Sequence, residues 1–121
     1  MFVKIADIIC YMGGYSKAFI NTLTGECFYE TEKNGVKDYG DYKEIPNVDI
    51  KEIKLNFIHH IINYKIKNKL LSCSDKDFHS LFHKVTIDYN LENEWLEFLD
   101  EVLMSIAIKW CNENNIAYTL K

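Results

Sequence analysis

FHSLFHKVTIDYNLENEWLEFLDEVLMSIAIKWCNENN, residues Phe78 to Asn115, is the stretch on which the reading of the fold turns. It carries both tryptophans of the chain and sets aromatic anchors at Phe78, Phe82, Trp95, Phe98 and Trp110, on helical spacings within their own helices. Phe78, Leu81, Phe82 and Val85 make one face of a short helix that Asp88-Tyr-Asn90 ends. Leu91 or Glu92 opens a longer helix whose buried stripe is Trp95, Phe98, Leu99, Val102, Leu103, Ile106 and Trp110. The rest of the chain is expected to pack on this helix pair.

Working back towards the N-terminus, Asp49 caps a long helix, with Glu52 at the spacing of a capping box. Ile50, Ile53, Phe57, Ile58, Ile61, Ile62, Ile66 and Leu70 recur at three- and four-residue steps, which predicts one helix from Ile50 to Leu70. Ser72 to Asp75 breaks it, and Ser74 offers the next N-cap oxygen. Ile45 is held extended by Pro46. Lys33 to Lys43, with two glycines, Asn34 and two aspartates, reads as a solvated loop.

The β signal comes earlier. Lys17–Leu23 and Glu26–Thr31 are rich in aromatic and β-branched residues and flank Thr24-Gly25, which predicts a hairpin. Val3 to Met12 could be a strand by its Val and Ile content or a short helix and fits neither period cleanly, but Asp7 among apolar neighbours favours a helical turn stopped by the φ > 0 freedom of Gly13-Gly14. Beyond Asn115, Ile116 to Leu120 alternates like a closing strand. The expected architecture is α+β: a small antiparallel sheet, the hairpin plus short extended pieces, packed against three main helices in a single domain of 121 residues.

Composition restricts the function classes. The chain has the apolar and charged content of a globular domain (48% and 26%) and a net charge of −4, which disfavours phosphate backbones and anionic membranes. All fourteen basic residues are lysine, so the guanidinium fork that reads guanine or clamps phosphate is absent, and nucleic acid is disfavoured. Missing arginine and glutamine, with abundant Lys, Ile and Asn, also read as the codon bias of an AT-rich genome. No apolar run reaches membrane-span length, and Cys10, Cys27, Cys73 and Cys111 form no close framework. A cytoplasmic protein with reduced, mostly buried thiols is expected.

The chemistry-bearing residues are few. His79 and His83, four apart on a helix, make a two-point chelate for a divalent metal, with Cys73, Asp75 or Asp77 as third ligand. The intervening glutamate of zinc proteases is missing. His59-His60 places at most one imidazole toward a core. The hairpin aromatics Phe19, Phe28 and Tyr29 read as packing residues before base-stacking ones. Neither a phosphate-binding glycine motif nor a convergent catalytic set is present.

Charge is distributed unevenly. Residues 50–70 carry five lysines against Glu52, while the final helix carries Glu92, Glu94, Glu97, Asp100 and Glu101 before its first lysine. The face of Glu94, Glu97, Asp100 and Glu101 is the candidate docking surface for a basic partner.

Several of these segments together resemble the uncharacterised protein family 0158 of small bacterial proteins. The resemblance rests on Ile5-Ala-Asp-Ile8, Thr24-Gly25-Glu26, Ile45-Pro46 leading to Asp49 and Phe57-Ile58, and Phe78-x-x-x-Phe82-x-Lys84 followed by Trp95-x-x-Phe98 and Ala107-x-x-Trp110. It implies a shared α+β domain and no assigned activity. Where basic residues are expected around the two phenylalanines this chain has His79, Ser80 and His83, so an anion-binding role for those positions does not carry over. The expected function is a non-catalytic protein-interaction or regulatory domain that binds a protein partner or a second copy of itself. A small metal-dependent enzyme or ligand-binding domain using His79 and His83 is the alternative, and lysine-mediated nucleic-acid binding the second.

Overall fold

The computed structural model describes residues 2–13, 17–30 and 42–120. They form a mixed α+β structure of two compact units, residues 1–48 with 103–121 and residues 49–102.

The first unit opens with β1 (Val3–Lys4) and α1 (Ile5–Met12). Ile5, Ile8 and Met12 are buried at helical spacing and Asp7 sits in the first turn, where a carboxylate suits the helix dipole. α1 stops at Met12 as expected, but Gly13 keeps φ at −104°, a conformation open to any residue. The hairpin is present as β2 (Ala18–Asn21) and β3 (Cys27–Tyr29), paired Ala18 to Tyr29 and Ile20 to Cys27. Its turn is longer than Thr24-Gly25. Asn21 organises it, its Oδ1 accepting from the amides of Leu23 (2.8 Å) and Thr24 (3.2 Å), and Gly25 takes φ of 78°.

β4 (Tyr42–Glu44) completes a three-stranded antiparallel sheet in the order β3-β2-β4. It includes the last two residues of the expected 33–43 loop; residues 33–41 lie outside the described residues. Ala18 and Ile20 point into the core, while Phe19 turns to the other face and stacks on Phe28 at 6.0 Å. Tyr29, on the core side, meets Tyr11 at 4.7 Å and donates through its hydroxyl to the Cys10 carbonyl.

The closing strand exists as β5 (Tyr118–Thr119), but it does not join the antiparallel sheet. It pairs in parallel with β1, Val3 opposite Tyr118. A two-residue strand running straight into a helix is too short to show a period, which is why Val3-Lys4 read as part of α1.

The second unit is helical. Asp49 caps α2 (Ile50–His59), accepting from the amides of Lys51 and Glu52. The expected single helix over 50–70 is two, because Asn63 accepts from the amides of Lys65 and Ile66 and starts α3 (Tyr64–Ser72). α4 (Phe78–Asp88) follows, with no side-chain bond at its N-cap, Asp77. Ser74 instead donates to the Asp77 carboxylate and does not cap. α5 (Glu92–Glu113) is the long final helix. The helix-ending turns of α4 and α5 share one design. Asn90 (φ 56°) and Asn115 (φ 55°) take the left-handed conformation, and the amides of Leu91 and Ile116 bond back to Thr86 and Cys111.

Each unit has its own core. Ile8, Met12, Ile20, Ala107 and Cys111 are fully buried in the first. Phe57, Ile58, Ile66, Leu70, Phe78, Phe82 and Val85 fill the second, with Trp95 and Phe98 packed against them. The expectation of one sheet carrying three main helices is therefore corrected. There are five helices among the described residues, and the core that includes β2 takes its helical residues from α1 and the C-terminal half of α5, while α2, α3 and α4 build a core without strands. The organising pair α4–α5 is likewise divided: Phe78, Phe82, Trp95 and Phe98 serve one core, and Trp110 packs against the other. Among the described residues no helix is long and apolar enough to cross a membrane.

Candidate functional site

The second unit concentrates the features that bear on function. Its core is a continuous set of rings: Phe57 lies 5.4 Å from Trp95 and 5.4 Å from Phe98, and Phe82 meets Trp95 edge-on at 5.0 Å. Aromatic contacts of this kind hold their neighbours in fixed positions. Two depressions open beside these rings.

The larger, about 370 Å³, is a groove between the α2–α3 connection and the α4–α5 turn. Phe57 and Ile66 line it from the core side, His60, Ile61, Ile62 and Asn63 from the α2–α3 connection, Tyr89 and Leu91 from the α4–α5 turn, and Glu94 from the first turn of α5. Its apolar lining is unusually open: Ile62 is 91% exposed and Tyr89 55%. The Asn63 cap causes this, since a helix continuing past His60 would turn Ile61 and Ile62 along its own apolar stripe. His60 is fixed in the groove by donating Nδ1–H to the Asn56 carbonyl at 2.8 Å and by packing on Phe98. His59 and His60 are both exposed.

Glu94 belongs to this groove and also begins the acidic face. Glu94, Glu97, Asp100 and Glu101 are all exposed, and none makes an ion pair among the described residues. The acids at the start of α5 gain from the helix dipole, but that effect fades within the first turn. Asp100 and Glu101 lie beyond it.

The smaller cleft, about 270 Å³, is lined by Lys54, Phe82, His83, Thr86, Glu92, Trp95 and Leu96. Lys54 reaches across from α2 to α4. Its Nζ stands 5.0 Å from the centre of the Phe82 ring and 2.9 Å from His79 Nδ1. An ammonium only donates, so Nδ1 is the acceptor and the ring proton of His79 sits on Nε2. Burial holds the Lys54 amine below the ordinary lysine range. The Thr86 hydroxyl is spent on the His83 carbonyl at 2.8 Å.

The residues expected to bind metal are distributed differently. His79 is engaged by Lys54, His83 lines the small cleft, and the Cys73 thiol donates to the Leu70 carbonyl at 3.1 Å. Asp75 pairs with Lys51 and Asp77 accepts from Ser74. Among the described residues no three His, Cys, Asp or Glu side chains are grouped so as to hold a metal ion. The four cysteines are free thiols, of which only Cys111 is buried. Within the lysine-rich segment, Lys51 and Lys54 stand over the rings of Phe78 and Phe82, while Lys65 and Lys69 are exposed.

Sequence reasoning missed Lys54, counted only as one charge in a run. Its signal was present in the i, i+3 pair Lys51/Lys54 on the border of an apolar stripe, where a long amphipathic side chain lies along neighbouring rings. No family model, no curated protein and no solved structure matches this chain, so the site is read from its own geometry.

Proposed function

We propose that this protein is a non-catalytic interaction domain that holds a segment of a partner protein in the groove beside Ile62, Tyr89 and Glu94. One observation carries the reading. An apolar groove with an almost fully exposed isoleucine merges, through Glu94, into a row of four acids that make no ion pair among the described residues. Apolar surface of this kind, bordered by charge of one sign, suits a partner segment with an apolar anchor flanked by lysine or arginine. The acids would steer its approach and choose its register more than add affinity. The resemblance that rests on Phe78, Phe82, Trp95 and Phe98 concerns the core beneath this groove and brings no activity with it.

The test compares three forms of the full chain in capture from host lysate, with nuclease and at low and high salt. They are the natural sequence, Ile62→Asp, and the triple variant Glu94→Gln, Glu97→Gln, Glu101→Gln. A protein held by the natural chain, lost with Ile62→Asp and weakened by both salt and the triple variant, supports the reading. Equal retention by all three forms, or recovery only when nuclease is omitted, overturns it. Sedimentation of the purified chain covers self-association: a dimer that Ile62→Asp dissociates puts a second copy in the groove.

A further inference from the structure

Two lysines one turn apart on α2 stand over two phenylalanine rings of α4, and their surroundings differ in one respect. Lys51 lies 5.5 Å from the Phe78 ring centre and has a carboxylate, Asp75, at 2.7 Å. Lys54 lies 5.0 Å from the Phe82 ring centre and has no carboxylate within ion-pair distance among the described residues. Its polar partner is a neutral acceptor, His79 Nδ1. Burial lowers the affinity of its amine for a proton, as expected of a cation taken from water without a counter-charge. Lys54 faces a cleft, with Phe82 and Trp95 as aromatic lining and Leu96 as apolar lining.

We propose that this cleft binds a small planar carboxylate, an aromatic or heteroaromatic acid, whose carboxylate pairs with Lys54 as Asp75 pairs with Lys51 and whose ring lies against Trp95. An ammonium has three donors, so Lys54 keeps His79 while it takes the ligand. The pairing is charge-assisted and only partly solvated, the setting in which such a bond is strongest. A volume of about 270 Å³ admits one or two fused rings with a short acid arm. Glu92 lines the same cleft and sets the charge limit: a second negative group on the ligand would meet its carboxylate, so monoanions are selected over dianions. The proposal is independent of the groove beside Ile62, which has its own lining.

The experiment titrates the full chain carrying Trp110→Phe, so that Trp95 is the sole indole reporter, with benzoate and with benzyl alcohol. Benzoate is expected to change Trp95 emission saturably and to bind at least about tenfold more tightly than the uncharged alcohol. Lys54→Met should remove that preference while the far-ultraviolet spectrum stays unchanged, Lys54→Arg should keep part of it, and Glu92→Gln should let phthalate, a dianion, bind nearly as well as benzoate. Equal response to benzoate and benzyl alcohol in the unaltered cleft, or no saturable change at millimolar benzoate, overturns the proposal without any variant.

Discussion

Lys51 Nζ donates to Asp75 Oδ1 across 2.7 Å, and this contact ties the first turn of α2 to the loop in front of α4. The hydrogen bond first, and the lysine charge second, hold the Asp75 carboxyl below the ordinary carboxylate range. A carboxyl lowered on folding contributes stability above its unfolded value of about 3.9 and loses it as pH falls through the lower folded value. Asp75→Asn should therefore be less stable than the natural chain at pH 7 and indistinguishable from it at the acid end. Urea midpoints measured from pH 7 down to pH 3 check this; a gap that widens toward acid would contradict the pairing. The gap is expected to be small, because Asp75 is almost fully exposed.

Lys54 gives the opposite sign. Its amine is lowered by burial, so between the folded value and the unfolded one near 10.4 the unfolded chain binds more protons and stability rises with pH. Below the folded value the ionised amine carries its full penalty. Lys54→Met should then be as stable as the natural chain or more so at pH 7, with the difference shrinking as the pH is raised toward 10. Thermal unfolding of the two proteins across that range is the measurement.

Phe82 is 2% exposed and meets Phe57, Phe78 and Trp95. Phe82→Ala should cost about 3–5 kcal/mol, the sum of lost burial and an unfilled cavity. Leu96, 57% exposed, is the contrasting case, and Leu96→Ala should stay within about 0.5 kcal/mol. Denaturant unfolding followed by near-ultraviolet signals separates the two.

The Asn63 cap makes a discriminating prediction. If residues 50–70 were one helix, alanine at 63 would improve it, because alanine is the better interior residue. With Asn63 capping α3, Asn63→Ala should instead destabilise by about 1 kcal/mol. Amide exchange at Lys65 and Ile66, whose N–H groups the side chain accepts, should accelerate in the variant.

Burial, reinforced by the charge of Asp7, pushes the Cys27 thiol up to about 11. At pH 8 only about one Cys27 in a thousand is then thiolate. An aromatic disulfide reagent should label the exposed Cys10 first, with Cys27 and the fully buried Cys111 lagging far behind. Peptide mapping after a short exposure gives the order directly.

The parts of the fold that were legible in the sequence are those where one local signal acts alone. Asp49 as a cap, the existence of the hairpin flanking Thr24-Gly25 and the stop at Asn90 each follow from side-chain chemistry within a few residues, although the part of Asn21 in the turn was not foreseen. What was misread involved competition or distance. Ile61 and Ile62 extend the apolar stripe smoothly, and only the Asn63 carboxamide, a better cap than interior residue, decides against it. Val3-Lys4 went to the helix despite its Val and Ile content, because its strand partner, Tyr118-Thr119, lies more than a hundred residues away. At the site, Glu94 was legible as part of a charge run, but its membership of the groove depends on where the Tyr89-Asn90-Leu91 turn delivers it. The Lys54 contact with His79 spans 25 positions and has no sequence signature.

The pairing of Val3 with Tyr118 has a consequence for synthesis. The first unit is discontinuous, and its β1–β5 pair and its share of α5 are missing until residues 103–121 have left the ribosome. The second unit is a single run of residues 49–102, whose contacts are all available sooner. β1 therefore emerges without its partner strand, and waits while the aromatic core forms behind it. Val3, buried in the folded chain, has no strand partner during that interval, a demand the folded protein no longer shows.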